Sequence, residues 1–218
     1  MSSIKTILLN MQCWPEVITC VESHPNKTFG EVWDSELKPE AMLWIITRSM
    51  NRQAMVLVLC DILDSRLSQL DGVLLKQAAV MARQWAEGGS VTLGDIQEMK
   101  VSVKESKATT FSTQDFRVVY MVEYTLNAAL ASSVSNASNA ALNLVGDALS
   151  KLRTDGMSSE MSSSVCRDVI RSRVSGSEIE RALQERALDR GCCCAANTEK
   201  KCWVCAIQCK THPLVQAS

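Results

Sequence analysis

The sequence predicts an all-α protein, a multi-helix bundle around one long central helix, ending in a Cys-rich C-terminal tail. Three observations carry this expectation. Apolar residues recur at steps of three and four through most of the chain. With nine Gly and four Pro in 218 residues, the turn residues of a β-sandwich are scarce. Aromatics are only 5% of the chain, while ten Met can fill irregular gaps between packed helices. An apolar content of 46% supplies a substantial core. The expected organisation is a helical bundle over 1–153, C-terminal helices packed on it over 154–191, and a Cys-rich tail over 192–218.

A first helix is expected from Ser3 to about Cys13, continuing or kinking at Pro15 toward Val21. "SHPNKTFGEVWDSE" reads as a loop, because Pro, Asn and Gly interrupt the periodicity. Pro39 suits the first turn of the next helix, where a missing N–H costs little. That helix starts at Lys38 and carries Met42, Ile45, Ile46, Met50, Met55, Val58, Leu59, Ile62 and Leu63. It is apolar on more than one face, and so belongs at the centre. Asp71 can cap the following helix, in which Leu74, Ala78, Met81 and Trp85 define one face. "GGS" at 88–90 ends it. Thr92 can cap a more charged helix, "LGDIQEMKVSVKESK", although Val101 and Val103 also alternate as in a strand.

"NAALASSVSNASNAALNLVGDAL", residues 127–149, holds almost no charge or bulk. It could be a flexible linker or a helix that lets neighbouring backbones come close. Leu126, Leu130, Val134, Ala137, Ala141, Leu144, Ala148 and Leu152 step by four or three without interruption, which favours the helix. With Thr113 as N-cap, one helix is expected to Arg153, roughly 60 Å long at 1.5 Å per residue. Ala131, Ser135, Ser138 and Asn139 flank its stripe. Ser and Asn are mediocre helix formers, so burial must supply its stability.

"RTDGMSSEMSSS" at 153–164 reads as a Ser-rich break. Val165, Val169 and Val174 then mark a helix, and "SGSEIERALQERALDRG" a final amphipathic one. In the latter, Ser177 with Glu180 fits a capping box and Gly191 a C-terminal stop. Ile179, Leu183, Ala187 and Leu188 are expected to face inward.

The formal net charge of −1 gives no field that would attract nucleic acid or anionic lipid. No apolar run approaches the roughly 20 residues of a membrane span, and "MSSIKTILLNMQCWPE" lacks a cleavage pattern. A cytoplasmic protein with reduced cysteines is therefore expected. No nucleophile elbow, P-loop or dinucleotide fingerprint occurs. His24 and His212 both precede proline near opposite ends, as turn residues do. The sequence accordingly assigns no catalytic, cofactor-binding or metal residue, and the chain reads as a non-enzyme.

Two features remain open. Cys202 and Cys205 in CxxC spacing, with Cys209 and one of Cys192, Cys193 or Cys194, could present four thiolates to zinc. The tail could equally be a set of thiols with no specific task. Arg167, Arg171 and Arg173 could form a phosphate-contacting edge, but Asp168, Glu178 and Glu180 balance them, which favours a solvated helix face. Trp44 and Trp85 are expected to pack between helices.

"AMLWIITRSMNRQAMVLVLCDIL", "KQAAVMARQWAEGG" and "YMVEYTLNAALASSVSNASNAAL" occur in that order between about Ala41 and Leu149. This succession resembles the all-helical putative immunity proteins of bacteria that are encoded beside polymorphic toxins. The shared features are a Trp-containing helix with central basic residues, an A-x-x-x-A-R-x-W-A-x-G helix end, and a long helix of Tyr and small residues. The Arg-Pro step that precedes that helix end in the family is replaced here by "SQLDGVLLK". The resemblance implies a helical protein that captures a toxin or a host factor, without naming any contact residue. The expected function is stoichiometric steric blockade of a protein target, as by an immunity protein or a phage-encoded inhibitor. The alternative is a zinc- or redox-responsive regulator that uses the C-terminal cysteines.

Overall fold

The computed structural model describes residues 4–67, 72–110 and 116–188. Among these residues are eleven α-helices and no strand. They are α1 (Ile4–Asn10), α2 (Pro15–Ser23), α3 (Phe29–Ser35), α4 (Pro39–Ser49), α5 (Arg52–Leu67) and α6 (Val73–Ala86). The others are α7 (Leu93–Thr110), α8 (Phe116–Leu130), α9 (Val134–Thr154), α10 (Ser159–Arg173) and α11 (Gly176–Leu188). None is long and apolar enough to cross a membrane. Ser3, Asp71, Thr113, Gly191 and the tail 192–218 lie outside the described residues.

The N-terminal segments break where their local chemistry demands it. The chain leaves α1 through Gln12 at φ 55°, and Pro15 then starts α2. The expected loop over 23–36 is in part a helix. Thr28 accepts a hydrogen bond from the Glu31 N–H, and the Glu31 carboxylate accepts one from the Thr28 N–H. This reciprocal cap closes α3 despite Gly30, and burial of Trp33 holds it in place. The helix expected from Lys38 through Leu63 is two helices. α4 ends at Ser49, and the Asn51 side chain accepts from the Ala54 N–H at 2.7 Å to start α5.

α6 buries Leu75, Ala78, Ala79, Ala82 and Ala86, a face rotated from the expected Leu74–Trp85 stripe. The alanines let α6 lie close to α5 and α8, so its larger side chains sit at the margin. Gly88, at φ 79°, takes the left-handed position past the helix end, where its N–H reaches the Trp85 carbonyl. Thr92 caps α7 as expected, in reciprocal hydrogen bonds with Asp95. Val101 is exposed and Val103 buried, both within that helix.

The single helix expected from Thr113 to Arg153 is an αα-hairpin. α8 stops at Leu130, and Ser133 at φ −140° caps α9 by accepting from the Asn136 N–H at 3.1 Å. The Arg52 guanidinium donates to the Ala131 carbonyl at 2.8 Å, satisfying a group freed by the turn. The step from Leu130 to Val134 thus crosses a turn and carries no helical meaning. Each half of the stripe is nevertheless buried: Leu126 on α8, and Ala137, Ala141, Leu144, Ala148 and Leu152 on α9. Folding back lets the two halves cover each other. α8, which touches α5, α6, α7 and α9, takes the central place assigned to the longer helix.

At the C-terminal end, Ser158 caps α10, so the Ser-rich break is shorter than its composition suggests. α10 buries Ser162, Cys166 and Ile170 and leaves Val165 and Val169 partly exposed. The capping box of α11 is Ser175 with Glu178, two residues before the expected pair. Glu180 is used elsewhere, accepting from the Gly30 N–H at 3.1 Å. α10 rests on α4, α5 and α9, and α11 on α1, α3 and α4.

α3 and α11 cross at two glycines. A Cβ on Gly176 would lie 2.5 Å from the Gly30 carbonyl oxygen and 2.8 Å from its Cα. The buried Trp33 indole donates to the Val174 carbonyl at 3.1 Å, and Arg171 donates to the Trp33 carbonyl. The C-terminal helices are thereby tied to the N-terminal third of the chain.

Candidate binding surfaces

The residues that sequence pattern singled out do not converge on a reactive centre within the described part. His24 Nδ1 lies 2.9 Å from the Cys20 carbonyl oxygen, not from its thiol. Burial, followed by the nearby Glu36 charge, raises the Cys20 pKa. Burial also raises the Cys13 thiol to about 11 and that of Cys60 to about 12. Such thiols remain protonated near neutrality and are poor nucleophiles. Among the described residues, no three His, Cys, Asp or Glu side chains come together as metal ligands. The cysteines from Cys192 to Cys209, and His212, lie outside them.

The arginine edge is largely consumed by the protein itself. Arg173 pairs with Asp61 in two hydrogen bonds of 2.6 and 2.9 Å, and Arg83 joins the same carboxylate at 2.8 Å. α10, α5 and α6 are clamped together by this arrangement. Arg171 serves the Trp33 carbonyl and lies 3.5 Å from Asp168. Arg167 is half-buried, with its Nε in no hydrogen bond. Trp44 is buried beneath the Arg48 guanidinium, and Trp85 is half-buried with Arg52 over its ring.

Concave regions among the described residues include three that could admit a ligand. The first, about 620 Å³, lies between α2 and the start of α4 and is walled by Trp14, Val17, Cys20, Glu36 and Lys38. Glu36 is engaged there by Lys27 at 3.0 Å, which lowers its pKa. The second is an apolar groove between α6 and α7, formed by Val73, Val80, Met81 and Met99 with Lys76 and Gln77. Val73 is 68% exposed and Val80 53%. Leu93 and Val101, also exposed, lie on α7.

The third region, about 370 Å³, lies between α7 and the α8–α9 hairpin. Lys100 of α7, Tyr124 and Asn127 of α8, and Asn136, Asn139 and Asn143 of α9 line it. These four asparagines are all the asparagines of the stretch 127–149. Sequence pattern gave the stretch a packing role, which its alanines have, but did not single out this cleft. The spacing of Asn136, Asn139 and Asn143 at three and four is the signal that marks a shared helix face. Asn127 joins them only because the chain folds back.

No family model matches the chain, and neither a curated protein nor a solved structure matches it.

Proposed function

We propose that this protein is a non-catalytic inhibitor that binds a protein target and blocks it stoichiometrically by steric cover. An immunity protein against a toxin and a phage-encoded inhibitor of a host factor both work in this way. The observation that carries the reading is the α6–α7 groove, where Val73 and Val80 stand exposed beside two methionines. Flexible thioethers adapt to an apolar partner, while Lys76 and Gln77 supply polar contacts within the same groove. Both helices are fixed to the bundle, α6 by its alanine face and α7 by Ile96 and Val103, so the surface is preformed.

Purification of the chain with its bound target, followed by native mass spectrometry, tests the reading. A fixed-stoichiometry complex is expected, with target activity falling in proportion to the inhibitor added. Val80→Asp should abolish the complex while leaving the Tm of the free chain near that of the parent. Inhibition by substoichiometric amounts, with the target cleaved or modified, would overturn the proposal.

A further inference from the structure

We infer that the cavity between α2 and the start of α4 receives this chain's own C-terminal segment, with Trp203 as the anchor. Trp14, Val17, Leu37 and Ala41 give the cavity an apolar lining. Its volume of about 620 Å³ suits a bulky apolar group. Trp14 is half-buried and packs on Trp44 at 6.3 Å between ring centroids, which fixes an aromatic wall. Cys20, also half-buried, belongs to the same lining.

Position favours this occupant. α11, the last described helix, rests on α1, α3 and α4, while the cavity is walled by α2, α4 and the link that follows α3. The chain therefore leaves α11 in the same part of the bundle as the cavity. Residues 189–202 separate Leu188 from Trp203. A chain of that length spans up to about 50 Å when extended, which is ample. The α6–α7 groove belongs to helices that pack on α5 and α8 instead.

Chemistry points the same way. "CWVCAIQC" places Trp203, Val204, Ala206 and Ile207 between Lys200 and Lys201 on one side and Lys210 on the other. An apolar run flanked by lysines matches an apolar cavity with acidic residues at its rim. Glu16, Glu36 and Glu40 line it together with Lys38. Lys27 and His24 attend Glu36 from outside the lining, so Glu16 and Glu40 carry the negative excess. In the α6–α7 groove the charged residue is Lys76, of the same sign as the segment. A tryptophan suits the cavity twice over: its ring packs on Trp14, and its indole N–H donates to a rim carboxylate. The docked segment covers Cys20. Capture of a target through the α6–α7 groove plays no part in this contact.

The test uses the reduced full chain and reads two quantities. The first is the indole N–H resonance of Trp203 in the isotope-labelled protein, identified by its loss in Trp203→Phe. Its nuclear Overhauser contacts should fall on Val17, Leu37 and Ala41. The second is the rate at which iodoacetamide alkylates Cys20, followed by peptide mass spectrometry with the buried Cys60 as reference. Trp203→Asp should raise that rate about tenfold, as on release of a segment docked roughly nine-tenths of the time. Glu16→Lys, at an exposed position, should raise it about twofold, the order of one surface charge contact. Circular dichroism and Tm establish that the variants keep the parent's fold. The inference is overturned if the Trp203 contacts fall on Val80 or Met81, or nowhere on the bundle. It is equally overturned if they arise between chains in a mixture of labelled and unlabelled protein, or if Trp203→Asp leaves the Cys20 rate unchanged. None of these results decides whether a target is captured through the α6–α7 groove, so the two ideas fail separately.

Discussion

Two helix pairs in this protein come close through small residues, and they do so in opposite ways. α3 and α11 meet at a single crossing, where Gly30 and Gly176 leave no space for a side chain. The contact joins segments more than a hundred residues apart and is pinned by Glu180 to Gly30 and by Trp33 to Val174. α8 and α9 are neighbours in sequence, joined by a short turn, and bury Ala128, Ala129, Ala137, Ala140 and Ala141 along their lengths. Closeness at the first pair is concentrated in two atoms' worth of space. At the second it is spread over several methyl groups, and no one position decides it. The same change, Gly to Ala, should therefore have opposite signs in the two regions.

Gly176→Ala is the most damaging substitution expected. Its Cβ would meet Gly30 backbone atoms at 2.5 and 2.8 Å and the Asp34 carboxylate at 2.9 Å, so the helices must separate. A loss of about 3 kcal/mol is expected, at the upper end of overpacking, lowering the Tm by roughly 10 °C. Thermal melting followed by far-UV circular dichroism checks it. A melt like the parent's would mean that the crossing is not a tight one.

Ala141→Leu and Ala137→Leu should each cost about 1–3 kcal/mol, because both positions are fully buried on α9. Surrounding side chains can yield in part, so the loss should be smaller than at Gly176. If both variants melted like the parent, the close packing assigned to α9 would be refuted. Gly146→Ala is the counter-experiment. Gly146 is exposed within α9, and an added Cβ would meet nothing within 4 Å. Relief of the backbone entropy cost should stabilise the protein by about 0.5–1 kcal/mol, visible as a Tm rise of a few degrees.

The smallest effect separates the pairs by pH. Glu31 of α3 and Glu178 of α11 have pKa values lowered by hydrogen bonds, first from the backbone N–H of Thr28 and of Ser175 respectively. A carboxylate with a depressed folded-state pKa stabilises above its unfolded value, near 4.3, and loses that contribution as pH falls through the folded value. α9, capped by the Ser133 hydroxyl, has no acidic residue in its first turn. Amide hydrogen exchange on acidification should therefore show α3 and α11 loosening before α9. Glu178→Gln should flatten the pH dependence of the Tm in this range. An equally early loss of protection in α9 would remove the distinction.

Much of this architecture is determined by local sequence. Pro15 and Pro39 start helices, Thr92 caps one, and Gly88 ends another, because each acts through atoms within a turn of itself. The apolar faces of α9 and α11 follow from spacing alone: Ala137, Ala141, Leu144, Ile179 and Leu183 are all buried. A stripe at helical period, however, says which face will be covered and not what covers it. Tertiary structure decided that the stripe from Leu126 to Leu152 turns at Ala131–Ser133, because an uninterrupted helix would leave half its apolar face without a partner. It also decided which glutamate caps α11 and which reaches Gly30, a contact with no local signature. The asparagine cleft has the same origin: Asn136, Asn139 and Asn143 share a face by spacing, but only the fold brings Asn127 and Lys100 to it. Periodicity is a property of one helix, whereas a cleft requires the relative placement of three.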